Sequence, residues 1–188
     1  MKKQISVVFS VFTLMFLSVL VHAQDDPDVR KELEVQYQKL TEANDAKDLK
    51  AVMALRTSDF HTFFTDGRVG DSKLMEQYSR DFFERNQTVH SRFTIQKLTV
   101  SYNKIIAVAE VFQEVARYQD LAGKRRKVET TVIQREIWAM TPEGWKIKSV
   151  DNVRDQKKFV DGKRVDPSKP YNPDDPPYSP DDAGAKRQ

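Results

Sequence analysis

The sequence predicts an α+β domain in which a strongly bent antiparallel sheet encloses three N-terminal helices. Three observations carry this. Two amphipathic segments are followed by an aromatic stretch ending in Asp66-Gly67, and then by a third amphipathic segment. Some sixty residues of long alternating strands joined by short turns come after them. One of those strands changes phase at Gln96-Lys97, which marks a bulge, the device by which long strands bend.

Residues 1–23 read as a signal peptide. Lys2 and Lys3 precede an apolar run from Ile5 to Val21, and Val21-His22-Ala23 places small residues before Gln24. A run of that length is short for a membrane span, and Asp25, Asp26 and Asp28 follow directly. The expectation is an exported, periplasmic or secreted protein with no stable membrane anchor after cleavage. The chain contains no cysteine, which excludes lipid attachment at the cleavage site and disulfides. Loss of Lys2 and Lys3 leaves 29 basic against 28 acidic residues, so the mature charge is close to neutral. Both signs are mixed along the chain, and no nucleic-acid partner is expected. The basic run Lys124-Arg125-Arg126-Lys127 falls at a hairpin turn and reads as solvated.

The domain spans residues 24–160. Val29, Leu33, Tyr37, Leu40 and Asn44 recur at helical spacing behind Pro27, which suits a first helical turn. Asp45 or Asp48 can cap a second helix through Leu55. Phe60 to Thr65 reads as a short strand, and Asp71-Ser72 starts a third helix with an apolar face of Leu74, Met75, Tyr78, Phe82 and Phe83. Strands then run from Phe93 to Tyr102, Ile105 to Tyr118, Arg125 to Met140 and Trp145 to Arg154. From Asp161 the chain carries six of its eight prolines and almost no large aliphatics, so 161–188 reads as a disordered Pro/Asp-rich tail.

The turns set a register, and the register selects an inner face. Pairing Met140 with Trp145 puts Trp138 opposite Ile147, Glu136 opposite Ser149 and Gln134 opposite Asp151. Pairing Tyr118 with Arg125 brings Gln113, Ala109 and Ala107 onto the same side, because side chains alternate with period two. Small residues beside convergent polar ones are what a ligand cavity needs. The expected lining is therefore Ala107, Ala109, Gln113, Gln134, Glu136, Ser149 and Asp151. On the outer face Val108, Phe112, Ile133, Ile137 and Val150 interrupt the charges, a stripe fit for a homodimer contact.

Three groups of residues resemble the NTF2-like superfamily, and within it the SnoaL-like or DUF4440-type bacterial proteins. They are the segment Ala43-Asn44-Asp45-Ala46-Lys47-Asp48-Leu49 continuing to Leu55, then Ser58-Asp59-Phe60 with Asp66-Gly67, and the closing Gly144-Trp145-Lys146-Ile147. The resemblance covers residues 28–154. It implies a cone of bent sheet around three helices, with a pocket at the open end. It also implies two functional classes: small-molecule binding or dimerisation without catalysis, and isomerase, cyclase or dehydratase chemistry. In the enzyme class an Asp or His in the cone acts as general acid or base; the catalytic candidates here are Asp151, Glu136 and His61, with Tyr37 or Tyr78 as hydrogen-bond donor. The tyrosine-plus-acid pattern of ketosteroid isomerases has no match here. No metal or cofactor is expected: His22, His61 and His90 are scattered, and neither a phosphate loop nor a nucleophile elbow is present.

Overall fold

The computed structural model describes residues 25–179. The expected signal peptide lies outside these residues. Among the described residues the chain forms three helices, α1 (Pro27–Asp45), α2 (Leu49–Ala54) and α3 (Ser72–Arg85). Seven strands accompany them: β1 (Arg56–Phe63), β2 (Val69–Asp71), β3 (Val89–Val100), β4 (Ile106–Leu121), β5 (Lys124–Thr141), β6 (Gly144–Val160) and β7 (Lys163–Val165). No helix among them is long and apolar enough to cross a membrane.

Each helix begins where a short acid can accept from its free N–H groups. Asp26 accepts from the amides of Asp28 and Val29, Asp48 from Ala51, and Asp71 from Leu74. The α1 face of Val29, Leu33, Tyr37 and Leu40 is buried in one core with Val111, Trp138, Trp145 and Ile147 of the sheet. Polar ties fix both ends of α1 to strands. The Trp145 indole donates to Glu32 at 2.7 Å, and Asp45 accepts the Ser91 amide at 2.9 Å.

The strands run in the order β2-β1-β6-β5-β4-β3, with β7 also on β6. Pairing is antiparallel except between β1 and β6. Curvature comes from extra residues. The β3 bulge falls between Ile95 and Lys97, where the phase change in the sequence placed it. Strand β6 carries three more register shifts against β5. Asn152 and Asp155, both at positive φ, lie within two of them. Bulges raise local twist and bend the strand, so β6 wraps the helices instead of lying flat.

Two of the expected turns are tighter in one case and looser in the other. Strands β4 and β5 join through Ala122-Gly123, both at positive φ, as a two-residue hairpin demands. Tyr118 therefore pairs with Lys127, two places from the expected Arg125, and an even shift leaves every face unchanged. Strand β3 ends at Val100, short of the expected Tyr102, and a wider loop leads to β4.

The expected disordered tail is corrected in its first part. Asp161-Gly162, again both at positive φ, turns the chain into β7. The segment then folds back, and the Tyr178 amide donates to the Arg164 carbonyl at 3.0 Å. Arg164 lies over the Tyr178 ring and Arg126 over the Tyr171 ring. Tyrosines, not aliphatics, supply the contact surface. Arg126, from the run expected to be solvated, also pairs with Asp161 at 2.8 Å. Residues 180–188 lie outside the description.

Ending the chain at Gly162 removes β7 and both arginine–tyrosine contacts. At about 0.5–1 kcal/mol for each contact, the melting temperature should fall by roughly 2–8 °C. An unchanged melt would show that the segment contributes nothing.

Candidate functional site

The cone interior holds a cavity of about 390 Å³. This is within the size range of small-molecule sites. Helix α1 contributes Leu40 and Asn44, α2 Val52, α3 Met75 and Ser79, and β1 Arg56, Phe60 and Thr62. The sheet supplies Phe93, Gln113, Gln134, Glu136, Ile147 and Val150. A smaller groove of about 260 Å³ adjoins it and shares Asn44, Met75, Ser79 and Gln113.

Glu136 is the centre of the polar floor. It is 1% exposed and holds three donors. The Tyr37 hydroxyl donates to Oε2 at 2.7 Å, and Gln134 Nε2 donates to Oε1 at 2.6 Å. The Trp138 indole N–H is shared between the Tyr37 oxygen at 3.0 Å and Oε2 at 3.2 Å. Tyr37 is itself buried, stacked on Phe93 and edge-on to Trp138.

Two effects compete at this carboxyl. Burial disfavours the charged form, whereas the donors and the Arg56 charge favour it. Burial is the larger, so the Glu136 carboxyl sits above the ordinary 4.5. The Tyr37 hydroxyl is pushed well above its usual range, first by burial and then by the Glu136 charge, so it remains a phenol able to donate. Arg56 is pulled down by burial, with Glu136 opposing.

The sequence-derived candidates divide cleanly. Glu136, Gln134 and Gln113 line the cavity, and Tyr37 stands directly behind Glu136. Ala107 and Ala109 face inward as expected, opposite Trp138 and Glu136, but are fully buried core positions that do not line the cavity. Tyr78 sits in the adjoining groove, edge-on to Phe64.

Asp151, Ser149 and His61 are corrections. A bulge at Lys148 lets Ile137 pair with Ser149 while Trp138 pairs with Ile147. This shifts the phase of β6 by one, and Val150 takes the inward place opposite Glu136. Val150 thereby leaves the outer stripe as well. Ser149 is buried on the other side, and Asp151 forms a two-pronged ion pair with Arg135, at 2.6 and 2.8 Å. In β1 it is Phe60 and Thr62 that line the cavity. His61, the residue between them, is absent from the lining, and its Nδ1 lies 3.3 Å from the Asp59 carbonyl.

Sequence reasoning missed Arg56. It begins β1 directly after α2, and β1 is irregular between Arg56 and His61. No periodicity therefore marks its direction. Its guanidinium lies 4.8 Å from the centre of the Phe60 ring, and its Nη1 approaches the Met53 sulfur at 3.2 Å. No group of three or more His, Cys, Asp or Glu side chains could hold a metal ion among the described residues.

Comparison with solved structures places this architecture. A Streptomyces avermitilis protein assigned as a dehydratase of the NTF2-like family aligns with a TM-score of 0.54 at 13% identity. The alignment covers 67% of this chain and 96% of that one. The fold is NTF2-like. A Novosphingobium aromaticivorans protein assigned as a scytalone dehydratase aligns at 0.57 and 10% identity, covering 70% and 87%. A type 2 hexachlorocyclohexane dehydrochlorinase, LinA, aligns at 0.55 and 6% identity, covering 78% and 95%. No protein-family model and no curated protein matches the chain. At these identities the NTF2-like cone is shared as a fold alone.

The raised Glu136 sets a pH signature. The folded state holds this proton more tightly than the unfolded chain does. The stability it contributes is thus fully present below 4.5 and is lost as pH rises through the raised value. Urea unfolding of the native protein and of Glu136→Gln across that window should show the native protein losing stability relative to the variant as pH rises. A pH-independent difference would contradict the assignment.

Proposed function

We propose that the cone binds a small, partly apolar molecule, with Glu136 and its donors as the polar end of the pocket. The observation that carries this reading is a cavity of about 390 Å³ lined by apolar and polar side chains in similar share, with Glu136 and Gln134 hydrogen-bonded to one another on its sheet wall. A folding core alone has no need of such a volume, since protein interiors are close-packed. We further propose that the chain belongs to the SnoaL-like branch and is exported, on the strength of its first 23 residues. Intact mass of the mature protein should then place its first residue at Gln24.

A catalytic reading is favoured by one feature. Glu136 Oε1 holds a single donor, and burial brings the carboxyl toward the range where a general base works at neutral pH. In that case the reaction is isomerisation, cyclisation or dehydration with Glu136 as base. Asp151 and His61 take no part in it.

The outer face supports a homodimer. The register sets Val108 against Ile137 and Phe112 against Ile133 in adjoining pairs on β4 and β5.

Native mass spectrometry of protein purified from its own host tests both readings. The expected result is a dimer carrying a small molecule of defined mass. Phe112→Asp should give a monomer that keeps that molecule, and Leu40→Trp should lose it while remaining folded. Native protein that carries nothing, and binds no member of a small-molecule library, would contradict the binding function.

A further inference from the structure

Among the described residues that line the cone cavity, Arg56 is the cationic one, and no ion pair with a described residue neutralises its charge. Among the described residues no carboxylate oxygen lies within 4.0 Å of it, whereas Arg30, Arg92, Arg135 and Arg154 each have one. Glu136 is the acid whose charge acts on it, from a longer distance. Nor can Glu136 readily swing across. Both its oxygens are held, by Tyr37, Trp138 and Gln134.

The guanidinium is nevertheless oriented. Phe60 covers one face and Met53 meets one nitrogen. A guanidinium carries five N–H donors in a fixed fork, and among the described residues a thioether is the one acceptor it meets. A partly buried arginine with donors to spare and a fixed plane is a receptor for two coplanar oxygens, as in a carboxylate. Phe64, Met75, Phe93 and Ile147 give the remaining walls apolar stretches that suit a hydrocarbon or aromatic body, beside the polar Asn44, Ser79 and Gln113.

We infer that the ligand is a small amphipathic carboxylate whose anionic head docks on Arg56 and whose apolar body fills the cone between α3 and the sheet. This rests on the pocket reading above and specifies its ligand class. Lysine at position 56 would not serve equally, because an ammonium lacks the fork.

The test compares acids with their own amides on the full mature protein. Probes are 2-naphthoate, 4-phenylbutyrate and decanoate, each beside its primary amide, titrated by calorimetry. The acid of at least one pair should bind about tenfold or more tightly than the amide, as a charge-assisted fork requires. Arg56→Gln should abolish that preference, and Arg56→Lys should retain only part of it. Equal binding of acid and amide would overturn the carboxylate inference and leave the pocket standing. Failure of every probe to bind would count against both. The comparison on the native protein decides the matter even if neither variant folds.

Discussion

The Tyr37–Glu136–Trp138 contact is the constraint on which the rest of the interior depends. It joins α1 to β5 across 99 residues of sequence. Hydrogen bonds to a charged group contribute about 1.5–3 kcal/mol each, and removing a carboxylate from water costs several kcal/mol. The two sums are comparable. The outcome is a carboxyl whose burial is only partly offset, above its ordinary range but tightly held. A carboxyl buried at the base of the cone, with cavity in front of it and aromatic side chains behind it, costs stability that a hydrophobic residue would not. That cost is the physical argument for a site.

The shape of the cavity follows from where the sheet bends. Strand β6 is continuous from Gly144 to Val160, yet on the edge away from β5 it serves two neighbours, β1 near its start and β7 near its end. Its extra residues let one strand follow the curve, and they decide which side chains reach the interior. The same bulge that turns Val150 inward sends Asp151 to Arg135 on the outside. Shape and chemistry are therefore set together. Arg56 approaches from β1 on the far side of β6, so the cavity has an acid and a base that do not touch.

Much of this was legible in the sequence, for local reasons. Pro27, Asp48 and Asp71-Ser72 mark helix starts through capping chemistry, and the β3 bulge shows as a change of alternation phase. Glu136, Gln134 and Gln113 were found because the turn at Thr141–Gly144 fixes the nearby register and the β4–β5 ladder runs without a shift. Asp151 and Ser149 were misplaced because they lie beyond the bulge at Lys148, and an alternating strand gives no sign of one added residue. Arg56 was missed because β1 is irregular just after it. The tail was misread at Asp161-Gly162, a dipeptide that signals a hairpin, because its proline content outweighed the tyrosines that dock it.

The most direct test of this account is a double-mutant cycle between Tyr37 and Glu136, using Tyr37→Phe and Glu136→Met and reading stability from chemical unfolding. If the contact holds α1 against the sheet and fixes the polar floor, the two substitutions should be coupled by about 0.5–3 kcal/mol. Effects that add to within about 0.5 kcal/mol would mean that the two side chains act independently, and the central constraint would be absent.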